Sequence, residues 1–247
     1  MTRDIVFYRG PSLLTGDPIV GIVTGLEHAS HNAKTGEMAQ VWMLRSDMSP
    51  IDAIRRNADD AICGDCKLRG DGGFGAVCYV TWWLGPNQVY KKFLAGGYDD
   101  ARVEPSAAVR GAVLRLGAYG DPAAIPFQTW RRLLRTASGW IGYTHQWRTC
   151  DERFKTILMA SVDTPREQFE AARAGWRTFR VRGRSDVLLR NEFVCPASNE
   201  SGHRVTCTDC QLCAGTSSPA RNVAIMAHGK PGNLTAFYRN RAEAVSV

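Results

Sequence analysis

Seven of the eight cysteines fall into two sets, Cys63, Cys66 and Cys78, then Cys195, Cys207, Cys210 and Cys213. Thiolates are soft ligands that suit iron–sulfur clusters or zinc. A pair two residues apart can turn both sulfurs toward one centre, and such pairs recur in both kinds of site. The second set reads Cys-Pro, then Cys-x-x-Cys-x-x-Cys. That run leans toward a [4Fe-4S] cubane, because tetrahedral zinc sites usually take two separated pairs. Cys195-Pro196 then offers the fourth thiolate from before the run. Cys150 stands alone and reads as a buried thiol, although it is available as a fourth ligand for the first set.

These side chains need a scaffold, and the composition allows one. At 247 residues and 44% hydrophobic, the chain can bury a substantial core. No apolar run reaches membrane-spanning length and the start, Met1-Thr-Arg-Asp, lacks a secretory h-region, so a cytoplasmic protein without membrane contact is expected. Thiols there stay reduced, which disfavours a disulfide framework. The net charge of +7 comes mostly from 25 Arg against 6 Lys. Two arginine groups, Arg131, Arg132 and Arg135, then Arg177, Arg180, Arg182 and Arg184, read as solvated faces.

The positioning elements follow from pattern. Ile19–Val23 and Ala39–Leu44 read as paired strands around a polar turn, Ser30 to Gly36. Ser49 caps a short helix with Pro50 at its first position and Asp52 in its first turn. Cys63-Gly-Asp-Cys66 comes next, then Gly70, Gly72, Gly73 and Gly75, which let the backbone fold closely round a ligand. Trp82, Trp83 and Tyr90 are expected to pack the core.

Beyond residue 110 a strand-then-helix rhythm sets in. Strands are expected at Ala112–Gly117, Trp140–Thr144, Thr156–Val162, Arg177–Val181, Asn191–Cys195 and Asn222–Ala227. A helix is expected over Phe127–Ser138, with Gly139 as its stop. A second starts at Thr164, with Pro165, a capping-box Glu167, an inward stripe of Phe169 and Ala172, and Gly175 as its end. The fold class is α/β: a partial (β/α) barrel or parallel sheet, with cysteine-rich metal-binding loops and an N-terminal β-hairpin region. Residues 1–100 carry the N-terminal strands and the first cysteine set; residues 101–247 carry the βα repeats and the second. One compact unit is expected. Asp121, His145, Asp163, Arg182, Cys195 and His228 then gather past the strands' carboxyl ends, where such sheets place ligands.

Lys34-Thr35-Gly36, with the Cys63-x2-Cys66 and Cys78-Tyr79 elements, resembles the phage "gene product 88" group and its plasmid or phage relatives. Looser support comes from Leu116-Gly-Ala-Tyr-Gly-Asp-Pro122 and the cysteine-rich tail. Those proteins look like distant members of the radical S-adenosylmethionine (SAM) barrel class, whose triplet spacing is x3 then x2 rather than the x2 then x11 found here. The resemblance implies a cluster on Cys63, Cys66 and Cys78 with one iron open to SAM, and a second, closed cluster on Cys195, Cys207, Cys210 and Cys213. It makes Gly120, Asp121, Thr144 and His145 the cofactor-contact candidates, with Asp121 and His145 also candidates for catalysis. For Asp121 and His145, a capping or hydrogen-bonded structural role is the alternative. His228-Gly229 is either a neighbour of the second centre or a plain strand end.

Two other functions fit the same residues. One is a non-catalytic zinc protein that binds nucleic acid, with His203 replacing one thiolate; the basic charge favours it, and the lack of a recognition-helix motif or dense basic arm opposes it. The other is an electron-transfer or redox-sensing iron–sulfur protein. The partner is accordingly a small molecule or a nucleic acid.

Overall fold

The computed structural model describes residues 3–29, 33–70, 77–229 and 231–245, with side chains described as far as residue 239. Gly72, Gly73, Gly75 and the turn residues Ser30, His31 and Asn32 lie outside the described residues.

Three N-terminal strands, β1 (Ile5–Pro11), β2 (Pro18–Thr24) and β3 (Ala39–Arg45), pair antiparallel in chain order. The β2–β3 pair is the expected hairpin; β1 is an additional strand that the sequence reading omitted. Ser49 caps α1 (Pro50–Arg55), accepting from the Asp52 amide as its capping pattern requires. The one-turn α2 (Asp60–Cys63) delivers the first cysteine, and α3 (Gly85–Leu94) returns the chain to the edge strand β4 (Asp99–Asp100). The short α4 (Pro105–Ala108) leads into β5 (Val113–Tyr119), which pairs parallel to β3.

From β5 onward every pairing is parallel. The chain passes through α5 (Phe127–Leu134), β6 (Gly139–Thr144), β7 (Met159–Val162), α6 (Pro165–Arg173), β8 (Thr178–Arg182) and β9 (Glu192–Val194). It ends with α7 (Cys207–Cys210), β10 (Asn222–Met226) and α8 (Pro231–Val245). The result is one ten-stranded, mostly parallel sheet in the order β4-β1-β2-β3-β5-β6-β7-β8-β10-β9, which runs unbroken across residue 100. Among the described residues β4 and β9 do not pair, so hydrogen bonds do not close it into a barrel. None of the described helices is long and apolar enough to cross a membrane.

Alternation along the strands separates two apolar layers. Leu114, Leu116, Ala160 and Val162 join Trp130, Leu133, Leu134 and Ala171 in the larger core under α5 and α6. Ile141, Met159, Val223 and Ile225 turn the opposite way, to a smaller cluster that includes Cys195 and Cys213, with Cys207 packed against it.

Several expectations need correction. The strand expected at Thr156 starts at Met159, because Asp151 accepts from the Arg153 amide and winds Glu152–Thr156 into a 3-10 helix. Helix α5 stops at Leu134 and Gly139 opens β6 instead of ending a helix. In α6, Thr164 caps the Glu167 amide, but the Glu167 carboxylate accepts from Asp163 N, one residue upstream of a capping box. Glu167 also accepts from Lys67 Nζ at 2.8 Å, so the helix turns Glu167 and Ala171 inward. Phe169 is therefore 60% exposed, with the Arg173 guanidinium over its ring. Trp82 packs against the large core, whereas Trp83 is 46% exposed.

The largest correction concerns arginine. Arg177, Arg180 and Arg182 are buried, not solvated. Arg180 and Glu192 form a bidentate pair at 2.7 and 2.6 Å, with side-chain exposures of 1% and 0%. The planar fork fits a carboxylate in a way that an ammonium does not. Removing one partner leaves the other charge buried, so Arg180→Ala is expected to lower the unfolding free energy by about 3–5 kcal/mol. The apolar double replacement Arg180→Met with Glu192→Leu should lose less. Urea unfolding of the two variants checks the ranking.

Candidate functional site

The carboxyl ends of β5, β6 and β7 meet the Cys63–Cys66 loop. Asp121 N donates to Ile62 O at 2.6 Å and Gln146 Nε2 donates to Cys63 O at 3.1 Å, so the loop is held by both strand ends. Gly64 makes this approach feasible: its φ is +57° and a Cβ there would lie 2.5 Å from the Gln146 amide. Cys63, Cys66 and Cys78 are half-buried free thiols and influence one another's ionisation. Burial pushes Cys63 well up, helped by Cys66, Asp59 and Cys78. Burial likewise drives Cys66 up to about 12, against the Leu68 N–H bonded to its sulfur. Cys78 is raised by burial and opposed by the Val80 N–H on its sulfur. Asn233 on α8 donates to Cys78 O at 3.1 Å and brings the C-terminal helix to the same loop.

The four cofactor-contact candidates sit beside this set. Asp121 accepts from Ala123 N through Oδ1 and from His145 N through Oδ2, at 3.0 and 2.8 Å. Thr144 is fully buried, bonds to Asp121 and accepts from Gln146 N. Gly120 is packed against Met43 and Ile62 O. Burial raises Asp121 and lowers His145, favouring the neutral form of each. Three of the four are thus spent on tying β5, β6 and α2 together. Only His145 retains a buried ring nitrogen, Nε2, with no partner among the described residues. This arrangement does not fit SAM at these positions.

Tyr119 was missed by sequence reasoning. It is 5% exposed, its hydroxyl has no hydrogen-bond partner among the described residues, and it lies within electrostatic reach of Cys63 and Cys78. An unsatisfied buried hydroxyl is costly, and one within electrostatic reach of thiol sulfurs is a donor in search of an acceptor. Cys150 shares Asp121 as an electrostatic neighbour with Cys63 and Cys66, and burial takes its thiol up to about 12.

The second set lies on the face opposite α5 and α6. Cys195 and Cys213 are buried, Cys207 and Cys210 half-buried. Burial raises Cys213 to about 12, with Cys195, Cys207 and Cys210 adding to the rise and the Tyr143 hydroxyl bonded to its sulfur opposing it. Burial and Cys195 raise Cys207, opposed by Lys34 and Arg115. The Ala197 N–H bonds to the Cys195 sulfur. Arg115 faces both sets, acting on Cys78 and on Cys207, while its guanidinium bonds the Tyr79 hydroxyl.

Two devices fix the tail. Arg177 donates to Leu212 O, Gly215 O and Arg221 O at 2.7, 2.8 and 2.6 Å, clamping the segment around Cys213. Lys34-Thr35-Gly36 docks on α7: Cys207 N donates to Lys34 O at 2.9 Å and Thr208 Oγ1 to Thr35 O at 2.6 Å. Gly36 has φ +66° and a Cβ there would strike Thr206 and Thr208. All eight cysteines are free thiols. Among the described residues, however, no three His, Cys, Asp or Glu side chains are gathered closely enough to hold a metal ion. The thiols neighbour one another without closing on a common point.

The strand-end residues separate accordingly. Asp121, His145 and Asp163 lie with the first set, Cys66 being influenced by both carboxylates. Arg182 pairs with Glu200 and belongs to the region of β9, β10 and His228. No family model, curated protein or solved structure matches this chain.

Gly64→Ala is expected to cost about 1–3 kcal/mol, because the backbone conformation disfavours a side chain and Gln146 blocks the Cβ. Chemical unfolding of the variant measures this, and Gln146→Ala combined with it should recover the steric part only.

Proposed function

We propose that the protein is an iron–sulfur protein with two centres, Cys63, Cys66 and Cys78 holding one and Cys195, Cys207, Cys210 and Cys213 the other. The supporting observation is that seven of eight thiols segregate into two neighbouring groups, each furnished with what a bound thiolate needs. Backbone N–H groups of Leu68, Val80 and Ala197 reach sulfur, and Arg115 and Lys34 bring positive charge to it. Hydrogen bonds to sulfur and local charge are the protein's means of setting a cluster's potential. Such clusters supply one-electron chemistry when bound. Arg115, facing both sets, offsets negative charge on either side of it.

The first set has three thiolates, and Tyr119, His145 and Cys150 are its remaining neighbours. We read this as the reactive centre and the four-thiolate tail as the closed one. With it goes the reading of the parallel strands as a partial (β/α) barrel, supported by the apolar cluster on the face away from the helices. No step through SAM is assigned, since Gly120, Asp121 and Thr144 are occupied within the fold; the radical-SAM-like version of the function has SAM cleaved to 5′-deoxyadenosine under reducing conditions.

Anaerobically purified protein is expected to be brown and to contain iron and acid-labile sulfide, measured chemically and by EPR and Mössbauer spectroscopy. Colourless protein with stoichiometric zinc would replace this function with a structural zinc module that binds nucleic acid. Cys207→Ala and Cys210→Ala should each abolish one spectroscopic centre and lower stability, since a structural metal contributes folding free energy. Tyr119→Phe should leave the iron content intact and lower the reduction potential of the first centre alone. A donor to sulfur stabilises the more negative reduced state.

A further inference from the structure

A cavity of about 860 Å³ opens beside the second cysteine set, past the carboxyl ends of β9 and β10. That volume is within the range of small-molecule sites, and the position is where parallel sheets receive ligands. Its charged lining is unbalanced. Lys34, His203, Arg204 and His228 face it, against Glu200 as the one carboxylate of the lining. Glu200 is already committed, to the Arg182 guanidinium and, at 3.1 Å, to Met226 N.

The basic groups are set in different ways. His228 Nδ1 is 3.0 Å from Met226 O, and a carbonyl only accepts, so Nδ1 carries the proton. In the neutral ring Nε2 is then an acceptor, and it receives Lys34 Nζ at 3.3 Å. Lys34 is further fixed by the docking of its carbonyl on Cys207 N, and it also faces Cys195 and Cys213. The side chains of His203 and Arg204 are exposed and have no partner among the described residues. Ser198, Asn199 and Thr206 add polar groups to the wall. The cavity thus sets a fixed lysine and two basic side chains without partners among the described residues against a carboxylate that is already paired.

We propose that this cavity binds a small, multiply charged oxyanion, a phosphate ester or a polycarboxylate, with Lys34 and Arg204 as its principal contacts and His203 and His228 beside them. Arg204 supplies a fork for two oxygens, and Lys34 a point charge from the floor.

Isothermal titration of the intact protein with inorganic pyrophosphate and with citrate distinguishes the two sources. Saturable one-to-one binding of pyrophosphate alone identifies a phosphate ligand; of citrate alone, a carboxylate; of both, a site that reads charge. Arg204→Gln should weaken binding about tenfold or more, as loss of a charged hydrogen-bond donor does. It lies on the exposed rim, so the fold is retained. Lys34→Gln should abolish binding. Absence of saturable binding by both probes, or binding that Arg204→Gln leaves unchanged in a folded protein, overturns the proposal.

Discussion

A guanidinium in the interior with three carbonyl oxygens on its nitrogens is the contact on which the arrangement of the tail rests. Arg177 reaches Leu212, Gly215 and Arg221 from the start of β8, and so converts an irregular segment into a fixed ledge against the sheet. Irregular backbone inside a protein carries polar groups that no ladder satisfies. One residue supplies donors to three of them. Arg180 and Arg182, further along the strand, face the opposite layer, where they bind Glu192 and Glu200. Strand β8 is thus polar on the side turned to its loops and apolar, through Phe179 and Val181, on the side turned to the cysteines.

The head set is held by a different principle, steric permission. Gly64 lets the chain pass under Gln146, and that amide in turn grips the Cys63 carbonyl. Asp121, which the motif reading placed among cofactor contacts, acts here as a joint between two strand ends and α2. Its carboxylate is saturated by amides from its own turn and from the next strand. The chemistry left over after these internal bonds is narrow: four thiols, Cys150 included, one phenol and one imidazole nitrogen.

Much of the parallel half was legible because its signals are local. Thr164-Pro165 and Ser49-Pro50 start helices through caps that need no tertiary partner. Strand ends from β5 to β10 fell within a few residues of their hydrophobic runs. What stayed hidden depends on distant partners. Phe169 carries an apolar side chain outward because Lys67 and the Asp163 amide draw Glu167 in. The arginines of β8 read as surface because charge gives no sign of burial until their partners, Glu192 and the tail carbonyls, are known. Tyr119 lay past the end of the expected strand, and only its unsatisfied hydroxyl within electrostatic reach of Cys63 distinguishes it.

The fastening of Lys34-Thr35 to Cys207-Thr208 joins residues 173 positions apart. Loop closure over such a span is slow compared with the pairing of neighbouring strands. Residues 207 and 208 follow β9 in the chain, so during synthesis the hairpin turn has no mate until β5 to β9 have been made. The tail sulfurs are then among the last groups to find their surroundings, and for that interval they stand open to oxidants.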